Sequence, residues 1–315
     1  MQKRAAYTGI FPKFNVQPHR RTGPKKLKIV GFTIIKDALL NDYPIVEAIR
    51  SILPVVDEML VSVGQGDDGT LELIESIGFD KLRIVRSEWD MSLRKGGQVL
   101  AVETDKAYRQ LPADADWVFY IQGDEVLHEK YHATVRASCE RYAKSPEVEG
   151  LLFDYLHFYG TYDYVGDSRT WYRHEVRIIR FDPAISAYRD AQGFRKGNKK
   201  LRVKHSGAAI YHYGWVKNPA QMKKKMKNVG RFWNEEEAWN KMLASGDFFD
   251  YSQFDSLSRF TEPHPEVMRE RIARQDWQVE LDLSKKKFAL KDRLLYWFEK
   301  KTGIRLFEFR NYQYI

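Results

Sequence analysis

A chain of 315 residues with 43% hydrophobic content can bury a real core, as one large domain with additions or as two modest ones. The formal charge of +9 points to an anionic partner without choosing among nucleic acid, lipid headgroups and nucleotide phosphates. No stretch approaches the roughly 20 apolar residues of a membrane-spanning helix, and the one cysteine, Cys139, excludes an internal disulfide and a multi-cysteine metal site, so a reducing, cytosolic location is expected.

Residues 1–26 carry no periodicity and end in the turn-like Arg21-Thr22-Gly23-Pro24, which predicts a surface arm. From Leu27 the pattern changes. Strands are expected at Leu27 to Ile35, Met59 to Val63, Leu82 to Val85 and Trp117 to Gln122, with helices at Pro44 to Ile52, Leu71 to Ile77 and Gln98 to Leu111. This alternation predicts an α/β domain with a mostly parallel central sheet flanked by helices. A helix over His132 to Ala143 and strands over Gly150 to Tyr159 and Val176 to Phe181 follow. Leu201 to Trp215 then gives way near Pro219 to a basic amphipathic helix. The domain is expected to span 27–218, followed by a basic helical extension over 219–315.

The fourth strand, in Trp117 to Leu127, breaks from apolar residues into Gln122, Gly123, Asp124 and Glu125. Ligands of parallel sheets bind at the carboxyl ends of strands, and carboxylates there require a cation or a hydrogen-bond donor. A divalent metal carrying a phosphorylated substrate meets that need, and so does a plain turn in which these residues cap the next helix. The second strand ends in Gly64-Gln65-Gly66-Asp67-Asp68-Gly69-Thr70, which suits either a nucleotide-binding turn or an ordinary helix cap.

Over about Lys28 to Trp215 these motifs resemble nucleotide-sugar-dependent glycosyltransferases of the family 2 type, with the Rossmann-like GT-A fold. In that family the first strand brings the donor base to its end, matched here by Ile29 to Asp37. The acidic turn after the second strand resembles Asp67 and Asp68 with Gly69-Thr70, and the helix before the fourth strand resembles Gly96-Gly97-Gln98 onward. The resemblance thus implies donor contacts at Asp37, Asp67, Asp68, Gly97 and Gln122. The metal motif Asp-x-Asp falls on Gln122-Gly123-Asp124, an amide replacing the first carboxylate. Asp124, Glu125 and His212 become the implied ligands of Mn²⁺ or Mg²⁺. The implied general base is Asp190, in Tyr188 to Phe194, with Glu175 in reserve.

The implied function is inverting, metal-dependent sugar transfer from a nucleotide-sugar to a glycan or lipid-linked acceptor. A nucleotidyltransferase on a related sheet, and a non-catalytic binding protein with a decayed metal motif, remain as alternatives. Arg177 and Arg180 suit either a diphosphate or acceptor contact or pairing with acids. Basic segments at Lys223 to Lys227 and Lys285 to Lys301, with apolar residues interleaved over Leu290 to Phe298, suit either an anionic membrane surface or a packed helix with a solvated face. Dispersed basic residues and no recognised module argue against nucleic acid.

Overall fold

The computed structural model describes residues 26–93, 95–284 and 286–315. Residues 1–25 of the expected arm, and Lys285 of the expected basic segment, lie outside the described residues. The first half alternates strand and helix: β1 (Ile29–Ile35), α1 (Ile45–Ile52), β2 (Glu58–Gly64), α2 (Thr70–Glu75), β3 (Leu82–Ser87), α3 (Gln98–Tyr108) and β4 (Trp117–Tyr120). Each of the expected elements is present, with ends shifted by a few residues. The short β5 (Glu125–Leu127) and α4 (His132–Arg141) complete this half.

The second half is strand-rich. It contains β6 (Gly150–Gly160), β7 (Tyr164–Gly166), β8 (His174–Arg180), a small separate sheet of β9 (Ile185–Tyr188), β10 (Gly193–Lys196) and β11 (Lys199–Lys200), and the long β12 (Arg202–Val216). The expected helical extension is mixed instead. It holds α5 (Pro219–Val229), α6 (Glu236–Leu243), β13 (Leu257–Arg259), α7 (Arg269–Ala273), α8 (Leu290–Thr302) and β14 (Gln313–Tyr314), and both strands join the main sheet. Two- and three-residue edge strands leave too little alternation for a sequence pattern to register.

The main sheet runs β13-β7-β6-β8-β4-β1-β2-β3, with β12 paired to β6, β5 and β14. β3, β2, β1 and β4 are mutually parallel, β8 runs against β4, and β12 is parallel to β6. The sheet is therefore mostly parallel and flanked by helices, as the alternation requires. β1 and β4 are buried along their whole lengths because the sheet is covered on both faces. Ile29, Trp117 and Phe119 meet α1 and α4 on one face, where Cys139 is buried, while Val30, Phe32, Val118 and Tyr120 meet α3 on the other.

The chain order reverses between β1, which leads outward to β2, and β4 on its other side. At such a reversal the loops leaving the two carboxyl ends diverge, and a crevice opens between them.

A candidate donor and metal cleft

The crevice is a cleft of about 290 Å³ at the carboxyl ends of β1 and β4. Ile34, Ile35 and Lys36 form one side; Tyr120, Gln122, Gly123 and Asp124 form another; Trp89, Asp190, Gln192, Phe232 and Trp233 close it. Of the residues singled out in the sequence, Gln122, Asp124 and Asp190 share this cleft.

Asp124 and Glu125 are adjacent in sequence and opposite in circumstance. Glu125 is fully buried, and its two oxygens accept from Arg177 Nε at 2.9 Å and Nη2 at 2.7 Å, from the Tyr155 hydroxyl at 2.7 Å and from Gln122 N at 3.0 Å. Four fixed donors saturate the carboxylate, so the expected role of Glu125 as a metal ligand is corrected: it is a buried ion-pair residue that shapes the turn projecting Asp124. Arg177 is spent on the same pair. Arg180 donates instead to the carbonyls of Tyr142, Ala143, Ser145 and Val148, beyond the end of α4.

Asp124 keeps its carboxylate at the cleft. Its Oδ2 lies 3.3 Å from Lys225 Nζ on α5, and its Oδ1 lies 3.8 Å from His212 Nε2 on β12. Burial pushes its pKa up, but the ammonium of Lys225, with that of Lys217 behind it, outweighs burial and holds it below the usual range. Lys225 also donates to Gly214 O at 2.9 Å and lies over the Tyr43 ring at 4.6 Å.

The protonation of His212 follows from a chain of contacts. His157 Nε2 lies 2.8 Å from Tyr172 O, a pure acceptor, so that nitrogen carries the proton. Burial, with His212 nearby, pushes His157 down to about 3, so it is neutral and its Nδ1 holds a lone pair. His212 Nδ1, 3.1 Å away, must then be the donor. That leaves His212 Nε2 unprotonated and facing the Asp124 carboxylate. Two electron-pair donors thus face each other with no proton between them, and Gly214 keeps the gap open: a Cβ there would lie 2.7 Å from both Asp124 Oδ2 and His212 Nε2. A separation of 3.8 Å suits two ligands of one cation at bond lengths near 2.1 Å. The residues therefore fit a divalent metal, with an oxygen and an imidazole nitrogen as the protein's share of the donor set.

Asp190 stands across the cleft, in the hairpin between β9 and β10. Its neighbours Arg189 and Ala191 have φ of 58° and 60°, a left-handed conformation that costs a non-glycine residue roughly 1 kcal/mol each. Gly97 sits behind it, and a Cβ at Gly97 would lie 2.4 Å from the Asp190 Cβ. The role of Gly97 is thus to admit Asp190 closely. No described group hydrogen-bonds the Asp190 carboxylate. Asp190 also borders a second opening, lined by Lys95, Gln98, Asp105 and Arg189.

The remaining candidates lie apart from this group. Glu175 is buried and does not line the cleft; its Oε1 accepts from Gln192 Nε2 at 2.9 Å, and burial, opposed by Arg177, pushes it up to about 8. It positions Gln192, which does line the cleft. Asp68 accepts from Thr70 N, Thr70 Oγ1 and Leu40 N, tying the turn after β2 to the loop after β1, so its carboxylate serves the fold. Asp67 is exposed outside the cleft. Asp37, with φ of 53°, is paired with Lys36 at 3.0 Å at the end of β1.

The sequence did not mark His157, Tyr43, Trp89 or Trp233. His157 stands in an ordinary apolar strand, with no local signal. Lys225 was marked only as one member of a basic run.

The chain matches no family model and no curated protein. Among solved structures it is similar to S. aureus TarS 1-349 in complex with UDP, at 15% identity and a TM-score of 0.37, over 69% of this chain and 70% of that one. It covers 42% of the longer S. aureus TarS chain, at 14% identity and a TM-score of 0.34. It is also similar to glucosyl-3-phosphoglycerate synthase from Mycobacterium tuberculosis in complex with Mn²⁺, UDP and phosphoglyceric acid, at 17% identity and a TM-score of 0.29, over 42% of this chain and 43% of that one.

Proposed function

We propose that the protein transfers a sugar from a nucleotide-sugar donor to an acceptor hydroxyl, with inversion and with a divalent cation held by Asp124 and His212. The observation that carries this reading is the unprotonated His212 Nε2 facing Asp124 in a gap kept open by Gly214, with Asp190, unbonded among the described residues, lining the same cleft as Asp124. Glu125 and Arg177 hold the turn, His157 fixes the imidazole tautomer, and Asp124 presents the charge. Mn²⁺ or Mg²⁺ would supply Lewis-acid neutralisation of the departing diphosphate.

The chain's own residues account for the rest. Trp89 and Phe232, with ring centroids 5.8 Å apart, and Trp233 offer aromatic faces for a nucleobase or sugar. The Trp89 indole N–H itself is buried against Gly64, without a hydrogen-bond partner among the described residues, so it is the ring and not the N–H that faces the ligand. The ammonium of Lys225 adds a second positive charge beside the diphosphate. Asp190, without a hydrogen-bond partner among the described residues and bordering both openings, takes the proton from the acceptor hydroxyl as it attacks the anomeric carbon. The acceptor enters from the side lined by Lys95 and Arg189.

A thermal-shift series with UDP, GDP, CDP and dTDP, with and without Mn²⁺, tests this reading, because a ligand bound to the native state raises stability with the logarithm of saturation. Metal-dependent stabilisation by one nucleotide, abolished in Asp124→Asn, is the expected result. Release of nucleoside diphosphate from the matching nucleotide-sugar marks a transferase; pyrophosphate release would assign a nucleotidyltransferase, and binding without turnover a non-catalytic protein.

A further inference from the structure

Eight of the twelve large hydrophobic side chains exposed among the described residues lie between Leu290 and Tyr314. Helix α8 is attached to the rest of the fold through polar groups. The Tyr296 hydroxyl donates to Asp167 at 2.8 Å, and Glu299 pairs with Arg169 at 2.8 Å, Arg173 at 3.3 Å and Arg305 at 3.6 Å. At about 100° per residue, Leu290, Leu294 and Trp297 fall within one narrow stripe, on the side opposite Tyr296 and Glu299. That stripe is in water: Leu290 is 82% and Trp297 60% exposed. After the turn at Gly303 the chain presents Ile304, Phe307 and Phe309, with Phe307 85% exposed. Arg305 ties this segment to the same loop, donating to Ser168 O and Trp171 O.

The apolar stripe thus faces outward, while the opposite side is held by these polar groups and by half-buried Leu295, Tyr296 and Phe298, the Tyr296 ring packing on Phe288 at 4.8 Å, so the stripe adds little to the fold. Cations flank it. Lys291, Arg293 and Lys301 have no ion-pair partner among the described residues, and Arg189 and Lys200 lie 5.7 and 5.8 Å from the Phe309 ring. We infer that the outer stripe of α8, with the 304–309 segment, docks on an anionic lipid surface, the apolar side chains entering the headgroup boundary while the lysines and arginines meet the headgroups. No helix among the described residues is long and apolar enough to cross a membrane, so the contact is interfacial. Charge excludes the nearer alternatives. Residues 1–25 hold six Lys and Arg and no acid, so they repel this face as a cover and add to its attraction for lipid. A second copy in a two-fold contact would set the same cations against each other. Because Arg189 also lines the opening beside Asp190, this face is continuous with the acceptor side, on the reading of the cleft given above.

The test is flotation of the full chain with phosphatidylcholine vesicles and with vesicles containing about a third phosphatidylglycerol; it needs no catalytic activity and stands apart from the function reading. Binding to the anionic vesicles alone, weakened by added salt, is expected. Lys291→Gln and Arg293→Gln should each lower partitioning about fivefold, the equivalent of about 1 kcal/mol per charge at the surface. Leu294→Ser with Trp297→Ser should abolish it at unchanged thermal stability, and Phe307→Ser, outside the helix, should weaken it as an independent variant. The inference is overturned by absence of binding at low salt, by binding that none of these changes alters, by binding that appears only after residues 1–25 are removed, or by a dimer that the Leu294 and Trp297 changes dissociate without vesicle binding in the parent.

Discussion

Two aspartate–histidine groups occupy different parts of this molecule, and they differ in where their protons sit. At the outer edge, Asp154 on β6 accepts at 3.1 Å from Nε2 of His174 and at 3.1 Å from Nε2 of His205, a cluster with the residue types and spacing of a metal site. His205 Nδ1, however, accepts from Gly207 N at 2.9 Å, so its Nε2 carries the proton and donates to Asp154. That aspartate is supplied by its own histidines and held well below the usual carboxylate range by them, against the opposing effect of burial. In the cleft the direction is reversed: His157 receives the proton of His212 Nδ1 and leaves the Nε2 lone pair turned on Asp124. Similar residues therefore yield a closed cluster in one place and, in the other, a lone pair facing a carboxylate, the arrangement on which the proposed cation site rests. The distinction lies in a neighbouring hydrogen bond, a backbone N–H in one case and a buried histidine in the other.

The largest expected effect separates the two aspartates by activity. Asp124→Asn should lower transfer by about 100-fold or more, by loss of charge at the departing diphosphate, while Asp154→Asn should leave it within about twofold in the same steady-state assay. Comparable losses in both would break the contrast. His157→Phe touches no ligand yet should weaken Mn²⁺ affinity about 10- to 100-fold, read by metal titration of nucleotide-dependent stabilisation. Unchanged affinity would show that His212 Nε2 is set by something else.

Glu175 extends the comparison to a carboxyl with neither a histidine nor an open face. Burial raises its folded pKa to about 8, from the ordinary 4.5, so the folded state holds a proton that the unfolded chain has released between those values. Stability therefore falls as pH rises across that window. Glu175→Gln should remove this dependence and stabilise the protein at pH 9 by roughly 1 kcal/mol or more, measurable by urea unfolding at pH 5 and 9. An unaltered pH profile would place the proton elsewhere. Smallest is the structural effect at the outer cluster. The depressed pKa of Asp154 contributes stability above its unfolded value that is lost as pH falls through the folded one. Its side chain is half exposed, so Asp154→Asn should cost no more than about 1 kcal/mol at pH 7.

The sequence by itself determined the β-α alternation, the fully buried strands and the carboxylates at the end of the fourth strand, because each depends on residues close together in the chain. Apolar runs of strand length, and the turn residues that end them, act locally. Asp124, Asp190 and His212 were also within reach of a motif resemblance. Only the tertiary structure decided that Glu125 is closed and Asp124 open, since the partner that closes Glu125 is Arg177, 52 residues away. It likewise decided that His157 orients His212 across 55 residues, and that Lys225 reaches Asp124 across 101. What a carboxylate does depends on which of its lone pairs other groups already hold, and those groups are brought to it by the sheet, not by the neighbouring sequence.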